Sequence, residues 1–179
     1  MKKTKYVPSG GLAFTEEKDM QKLSQFAKKG WMVERFTNFG YKLVEGEPKD
    51  IEYSLDYQKG ADEEYFLFFE EAGWSHVCSI GNEIHLFSAP AGTKPIYTDT
   101  QTTIEKYERE KKQMGKSALP FLISTIVFMY LSTIGWGVEL IGVVMWILGT
   151  LSLVFLVFPG LPYLAYQYKL MKLRKGSLE

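Results

Sequence analysis

The sequence predicts an α+β soluble domain, two strand-helix-strand-strand repeats whose antiparallel sheet carries its helices on one face, followed by a two-helix transmembrane hairpin. Three observations carry that prediction. The run Phe26-Ala27-Lys28-Lys29-Gly30-Trp31 recurs 43 residues later as Phe69-Glu70-Glu71-Ala72-Gly73-Trp74, an internal repeat long enough to be a supersecondary unit. Each Gly-Trp follows a helix-like stretch and precedes a strand-like one. Beyond the repeat lie two apolar runs, Leu119 to Gly137 and Leu140 to Phe158; each has the roughly 20 residues that carry a helix across about 30 Å of hydrocarbon.

In the first copy, a strand near Lys5 to Leu12 leads to a helix from Glu16 to Lys29, then strands from Trp31 to Phe36 and Gly40 to Glu45. In the second, a strand from Ile51 to Tyr57 leads to a helix from Asp62 to Ala72, then strands from Trp74 to Ser79 and Glu83 to Ser88. Thr15, ahead of Glu16 and Glu17, reads as an N-cap with an acidic first turn. Met20, Leu23, Phe26 and Ala27 recur behind it at helical spacing. Gly30 and Gly73 are helix stops, since glycine takes the left-handed conformation without a Cβ clash. Asn38 and Gly81-Asn82 mark the hairpin turns.

Averages conceal the second half. Net charge is zero and mean hydropathy is −0.12, yet between Leu119 and Phe158 the only ionisable side chain is Glu139. A front half of this size cannot wrap such a hairpin in protein. Lys106, Arg109, Lys111, Lys112 and Lys116 precede the first span, Lys169, Lys172, Arg174 and Lys175 follow the second, and the loop between has no Lys or Arg. The positive-inside bias then predicts a cell-membrane protein with two spans and both termini cytoplasmic. Met1 to Gly10 lacks the apolar core of a signal peptide. The single cysteine, Cys78, fits a reducing compartment.

The expected organisation is residues 1–100 as the cytosolic domain, 101–117 as a charged helical connector, 118–158 as the hairpin and 159–179 as a basic amphipathic tail. The connector pairs Glu105 with Arg109 and Glu108 with Lys112, four apart; Gly115 and Pro120 are places where it could bend. Pro159 and Pro162 are expected to interrupt the second helix. Beyond them Tyr163, Tyr166, Leu170 and Leu173 form an apolar stripe for the inner leaflet, and Tyr163, Tyr166 and Tyr168 suit an interfacial belt. Only Ser and Thr hydroxyls occur at mid-span depth, which argues against a self-contained transporter. Gly142 with Gly149, and Thr133 with Gly137, offer small-residue packing for the hairpin, a second copy or another membrane protein.

Candidate ligand-binding residues are Trp31, Tyr53, Trp74, Glu83 and His85. The repeat puts Trp31 and Trp74 at equivalent places, fit for the walls of a groove between the copies. Glu83, His85 and Phe87 share one face of a strand, and Trp74, His76 and Cys78 one face of the strand before it. Glu45, Glu52, Asp56 or Glu83 among Tyr41, Tyr53, Tyr57 and Trp74 would suit a cationic ligand. One Cys and two His on bare strands lack zinc-ligand spacing, so no metal or cofactor is expected. No Walker loop, G-x-S-x-G elbow, H-E-x-x-H or dinucleotide fingerprint occurs, so the chain is read as no enzyme and no catalytic residue is assigned. Its basic residues form no stripe for nucleic acid.

The order of elements resembles the duplicated module of gyrase-inhibitor-like ligand-binding domains, which implies a groove between the copies that takes small, often cationic or aromatic, molecules. Gly30-Trp31, Tyr53-Ser54-Leu55-Asp56, Gly73-Trp74, Glu83-Ile84-His85-Leu86-Phe87 and Pro95-Ile96-Tyr97-Thr98-Asp99 together resemble a bacterial family catalogued as domain of unknown function 2812. That resemblance implies a cytosolic domain followed by membrane helices, often encoded beside PadR-like repressors, and it implies no activity. The expected function is a membrane-anchored, cytosol-facing binding module with a regulatory or stress-response accessory role, recognising a small molecule, peptide or protein. The alternative is an accessory subunit of a membrane complex, of exporter or toxin-immunity type, that acts through its hairpin.

Overall fold

A computed structural model describes residues 3–95 and 100–176. Ile96 to Asp99, part of the family-like run, lie outside the described residues. The chain divides into two compact units, residues 1–102 and 103–179.

The first unit runs β1 (Thr4–Pro8), α1 (Leu12–Ala27), β2 (Trp31–Thr37), β3 (Gly40–Glu45), β4 (Ile51–Tyr57), α2 (Glu63–Glu71), β5 (Ser75–Ile80) and β6 (Ile84–Pro90). This is the duplicated strand-helix-strand-strand order, and the α+β class holds. The layering is finer than one six-stranded sheet. Each copy forms its own antiparallel three-stranded sheet, ordered β1-β3-β2 and β4-β6-β5.

Nor do both helices share one face. Tyr53, Leu55, Tyr57 and Leu86 join Met20, Leu23 and Ala27 of α1, with Val33, Tyr41 and Leu43 of the first sheet, in the main core. Phe87 and Ala89, on the opposite face of the second sheet, pack with Phe69 of α2 and with Trp74. Because alternate strand residues point to opposite faces, α1 and α2 lie on opposite sides of β4-β6-β5. Helix α1 of the first copy thus seals the sheet of the second, and Leu23, Leu43, Leu55 and Leu86 are wholly buried.

Local chemistry explains the boundaries. Helix α2 starts at Asp62, whose side chain accepts a hydrogen bond from the Tyr65 N–H at 3.0 Å. It stops at Gly73 (φ +86°), where the Gly73 N–H reaches the Glu70 carbonyl and the Trp74 N–H reaches the Phe69 carbonyl, both at 2.9 Å. Thr15 is not the N-cap of α1. Gly11, at φ +93°, opens a turn that starts the helix at Leu12, and Thr15 sits at a kink with its hydroxyl bonded back to the Gly11 carbonyl at 3.3 Å.

The second unit is two helices long and apolar enough to cross a membrane: α3 (Thr100–Ser132) and α4 (Glu139–Gly176). Of their most apolar stretches, 0% and 11% is buried in protein. Several expectations are corrected here. Helix α3 ends at Ser132, so Thr133 and Gly137 lie in the break and form no helical packing pair. Pro120 lies within α3, and Pro159 and Pro162 do not interrupt α4, which runs unbroken into the basic tail. A Cβ on Gly115 would lie 3.2 Å from the Tyr163 ring, and the Tyr166 ring lies 5.9 Å from that of Tyr107, so both face the other helix instead of a lipid belt. Glu108 pairs with Arg174 across the helices.

Candidate functional site

The two hairpins that end the repeats carry the same irregularity at the same place. Pairing of β2 with β3 shifts register between Val33 and Arg35, and pairing of β5 with β6 shifts between His76 and Cys78. The displaced residues, Glu34 and Val77, are 43 apart, the repeat distance. A bulge bends a strand and strengthens its twist, which suits an outer strand that must not pair further. Both β2 and β5 are outer strands of their sheets, and the sheets remain separate.

Between these edges lies a cleft of about 580 Å³, lined by Arg35, Phe36, Thr37 and Asn38 of β2 and its turn and by Ser79 and Ile80 of β5. A side pocket of about 220 Å³ shares Phe36, Thr37 and Ile80 and adds Ser9, Leu12, Phe39 and Tyr41. On the Cys78 side of the divide, the Phe36 N–H faces the Cys78 sulfur, yet burial dominates and pushes that thiol up to about 11. Burial also raises the Tyr41 hydroxyl well above an ordinary phenol, with the Asp19 carboxylate adding to it.

Behind Ser79 runs a chain of polar contacts. His76 Nε2 lies 2.8 Å from Ser79 Oγ, Ser79 Oγ lies 2.7 Å from His85 Nδ1, and His85 Nε2 lies 3.0 Å from the Gln58 carbonyl. A carbonyl only accepts, so His85 carries its proton on Nε2. In the neutral ring Nδ1 then accepts from the Ser79 hydroxyl, which in turn accepts from His76 Nε2–H. His76 is held below an ordinary imidazole, first by burial and then by His85. The chain ties β5 to β6 and to the turn after β4. Beside it the Tyr65 hydroxyl donates to Asp56 at 2.7 Å.

The sequence-derived candidates do not meet in one groove. Trp31 opens β2, where Lys5 Nζ lies 5.5 Å from its ring. Trp74 is 3% exposed in the α2-side core, its Nε1–H donating to the Lys94 carbonyl at 3.0 Å. Tyr53 is buried and its hydroxyl accepts from the Val33 N–H at 3.2 Å; burial raises its pKa. Glu83 sits in the β5–β6 turn and pairs with Lys59 at 3.0 Å. His85 alone reaches the cleft wall, through Ser79. The bulge also separates Cys78 from His76: Cys78 packs on the main core, while His76 stacks on the other face, 4.7 Å from Phe66. Among the described residues no three His, Cys, Asp or Glu side chains form a metal-binding group. Arg35, Thr37, Asn38 and Ser79 were not singled out from the sequence; the repeated strand after each Gly-Trp was the available signal.

No curated protein and no solved structure matches the chain. A family profile matches residues 15–119, more than half of the sequence, and takes in both repeats from α1 onward and the start of α3. The chain belongs to the family described as "Protein of unknown function (DUF2812)".

Proposed function

We propose that this chain is a membrane-anchored binding module whose cytosol-facing α+β unit acts as a regulatory or stress-response accessory, with the β2–β5 cleft as its recognition surface. The observation that carries the reading is a cleft of about 580 Å³ between two sheets whose outer strands are bulged at equivalent positions. Concave sites at the junction of repeated units are where ligands collect.

The anchor is supported by two helices whose apolar surface has almost no protein cover, a state that lipid satisfies and water does not. The Lys and Arg residues at both outer flanks favour cytoplasmic termini. One observation favours the alternative, in which the hairpin engages a membrane complex: a groove of about 580 Å³ on the second unit, lined by Leu119, Leu122, Leu153, Val157, Leu161 and Leu164.

The test is a ligand screen by thermal shift on the full chain in nanodiscs, repeated with Asn38→Trp and Arg35→Trp, which narrow the cleft. Compounds that raise Tm of the parent and leave both variants unmoved are expected. Hits that stabilise all three equally, or an absence of hits, would remove the cleft as the recognition surface. Thiol-reactive reporters placed at Ser9 and in the Gly135–Gly137 break fix the orientation, with only the break expected to label from outside intact cells.

A further inference from the structure

The groove on the second unit covers one half of the apolar hairpin and stops. Its walls come from residues between 115 and 122 of α3 and between 153 and 164 of α4, the basic flank of the first apolar run with its opening turn and the closing turns of the second. Along α4 that is about 16 Å of helix, close to the roughly 15 Å that one leaflet contributes to a hydrocarbon core of about 30 Å. A partner helix crossing the bilayer needs a track about twice as long. The groove has the reach of a single leaflet.

Missing side chains keep it open. Gly115 and Gly160 line it, one from each helix. A Cβ on Gly160 would meet only side-chain carbons of Leu156, at 3.8 Å, so the space beside α4 is free and no neighbour has collapsed into it. Leu119, Leu122, Leu153 and Val157 supply apolar walls, which suit a narrow, flexible hydrocarbon chain.

The flank end of the groove is cationic. Lys111 and Lys112 lie four and three residues ahead of Gly115, on the groove side of α3, and Lys111 Nζ stands 5.7 Å from the ring of Tyr163, a wall residue. Among the described residues neither lysine has a carboxylate partner; Glu108, one turn before them, is taken by Arg174. Anionic lipids gather in the cytoplasmic leaflet, and basic pockets between membrane helices on that side hold their headgroups. We propose that the groove is a site for one anionic phospholipid of the cytoplasmic leaflet, an acyl chain lying between Gly115 and Gly160 and its phosphate facing Lys111 and Lys112. The inference rests on the membrane-anchor reading and names the lipid that the anchor selects.

Photolabelling of the full chain in phosphatidylcholine nanodiscs, doped with trace phosphatidylglycerol or phosphatidylcholine carrying the same diazirine acyl chain, tests this. Phosphatidylglycerol is expected to label at least about tenfold more than phosphatidylcholine, with adducts concentrated on residues 115–122 and 153–164. Gly160→Leu, which puts a side chain into the groove, is expected to bring the two lipids level. The double variant Lys111→Gln, Lys112→Gln is expected to lose most of the preference, and Lys175→Gln, about three turns beyond Leu164 on α4, to keep it. Should Gly160→Leu fail to fold, the lysine variants decide. Equal labelling by the two lipids, or a loss with Lys175→Gln as large as with the double variant, overturns the site and leaves general attraction to anionic lipid. Adducts confined to the hairpin outside the groove mean that a helix or a second copy fills it, which overturns the inference and leaves the anchor intact. No adduct from either lipid removes the anchor and the inference together.

Discussion

The Tyr53 hydroxyl, on the first strand of the second repeat, accepts the Val33 N–H of the first repeat at 3.2 Å, beside the bulge that displaces Glu34. One side chain thus satisfies a backbone donor that the interrupted ladder leaves over, and it joins the two copies. Tyr57 makes a parallel link, its hydroxyl donating to Glu16 of α1 at 3.1 Å. Tyr53→Phe is therefore expected to destabilise the first unit by about 1–3 kcal/mol, the consequence of leaving a buried donor unpaired. Thermal unfolding in detergent reads this, with Tyr6→Phe, whose residue is 54% exposed, as the milder control. An unchanged Tm for Tyr53→Phe would mean that Val33 is satisfied in some other way.

Phe39 occupies the left-handed region at φ +62°, which costs a non-glycine residue about 1–2 kcal/mol. Phe39→Asn, which tolerates that conformation, is expected to raise Tm, and the β-branched Phe39→Ile to lower it. A reversed order would show that the exposed ring contributes more than the backbone strain.

Acid destabilisation should pass through His76. Its imidazole ordinarily titrates at 6.5 and is lower in the fold, through burial first and His85 second. As pH falls below 6.5 the unfolded chain takes up the proton before the folded one, so stability is lost on acidification and restored on return to neutrality. Tm is expected to fall between about pH 7 and about pH 5, and His76→Gln to flatten that slope. The same slope in the variant would assign the proton to another group.

Cys78 behaves oppositely. Its thiol is pushed from 9.0 to about 11 by burial, so little thiolate exists near neutrality and the group is a poor nucleophile. Maleimide labelling of the folded chain near pH 7.5 is expected to be at least about tenfold slower than that of the unfolded chain. Comparable rates would show that the β2–β5 divide opens readily at this point.

In the second unit, a Cβ on Gly149 would lie 3.2 Å from Met129 side-chain carbons and 3.3 Å from the Met129 backbone nitrogen. Gly149→Leu is expected to push the two helices apart and weaken the hairpin. Ser152→Ala, which removes contacts to Ser124 at 2.6 Å and to the Phe121 carbonyl at 3.0 Å, should have the smaller effect of about 0.6 kcal/mol typical of such bonds. Unfolding of the hairpin in mixed micelles ranks the two. A larger loss for Ser152→Ala would make the polar contact the main fastening.

Candidate site residues were legible only where chemistry and element coincided. His85 stood out as an uncommon side chain on a strand, and it does reach the cleft wall through Ser79. Trp31 and Trp74 were equivalent in sequence and are not equivalent in burial, because α2 covers Trp74 while Trp31 stays half-buried at the start of β2. Arg35, Thr37, Asn38 and Ser79 are ordinary strand and turn residues. What distinguishes them is the cleft they border, and a spacing pattern has no access to a neighbour that comes from the other repeat.

Local rules were enough for the order of elements, the two glycine stops at Gly30 and Gly73, and the two long apolar helices. Hydrophobic periodicity, φ preference and run length all act within a few turns of chain. Tertiary structure alone decided that six strands become two sheets, that α1 crosses to the second repeat, that prolines 159 and 162 stay within one helix, and that Tyr41 and Thr37 share a pocket. Each of these depends on a bulge or a contact between distant segments. One extra residue in a strand turns every later side chain to the opposite face, and the identity of the residue that bulges does not announce it.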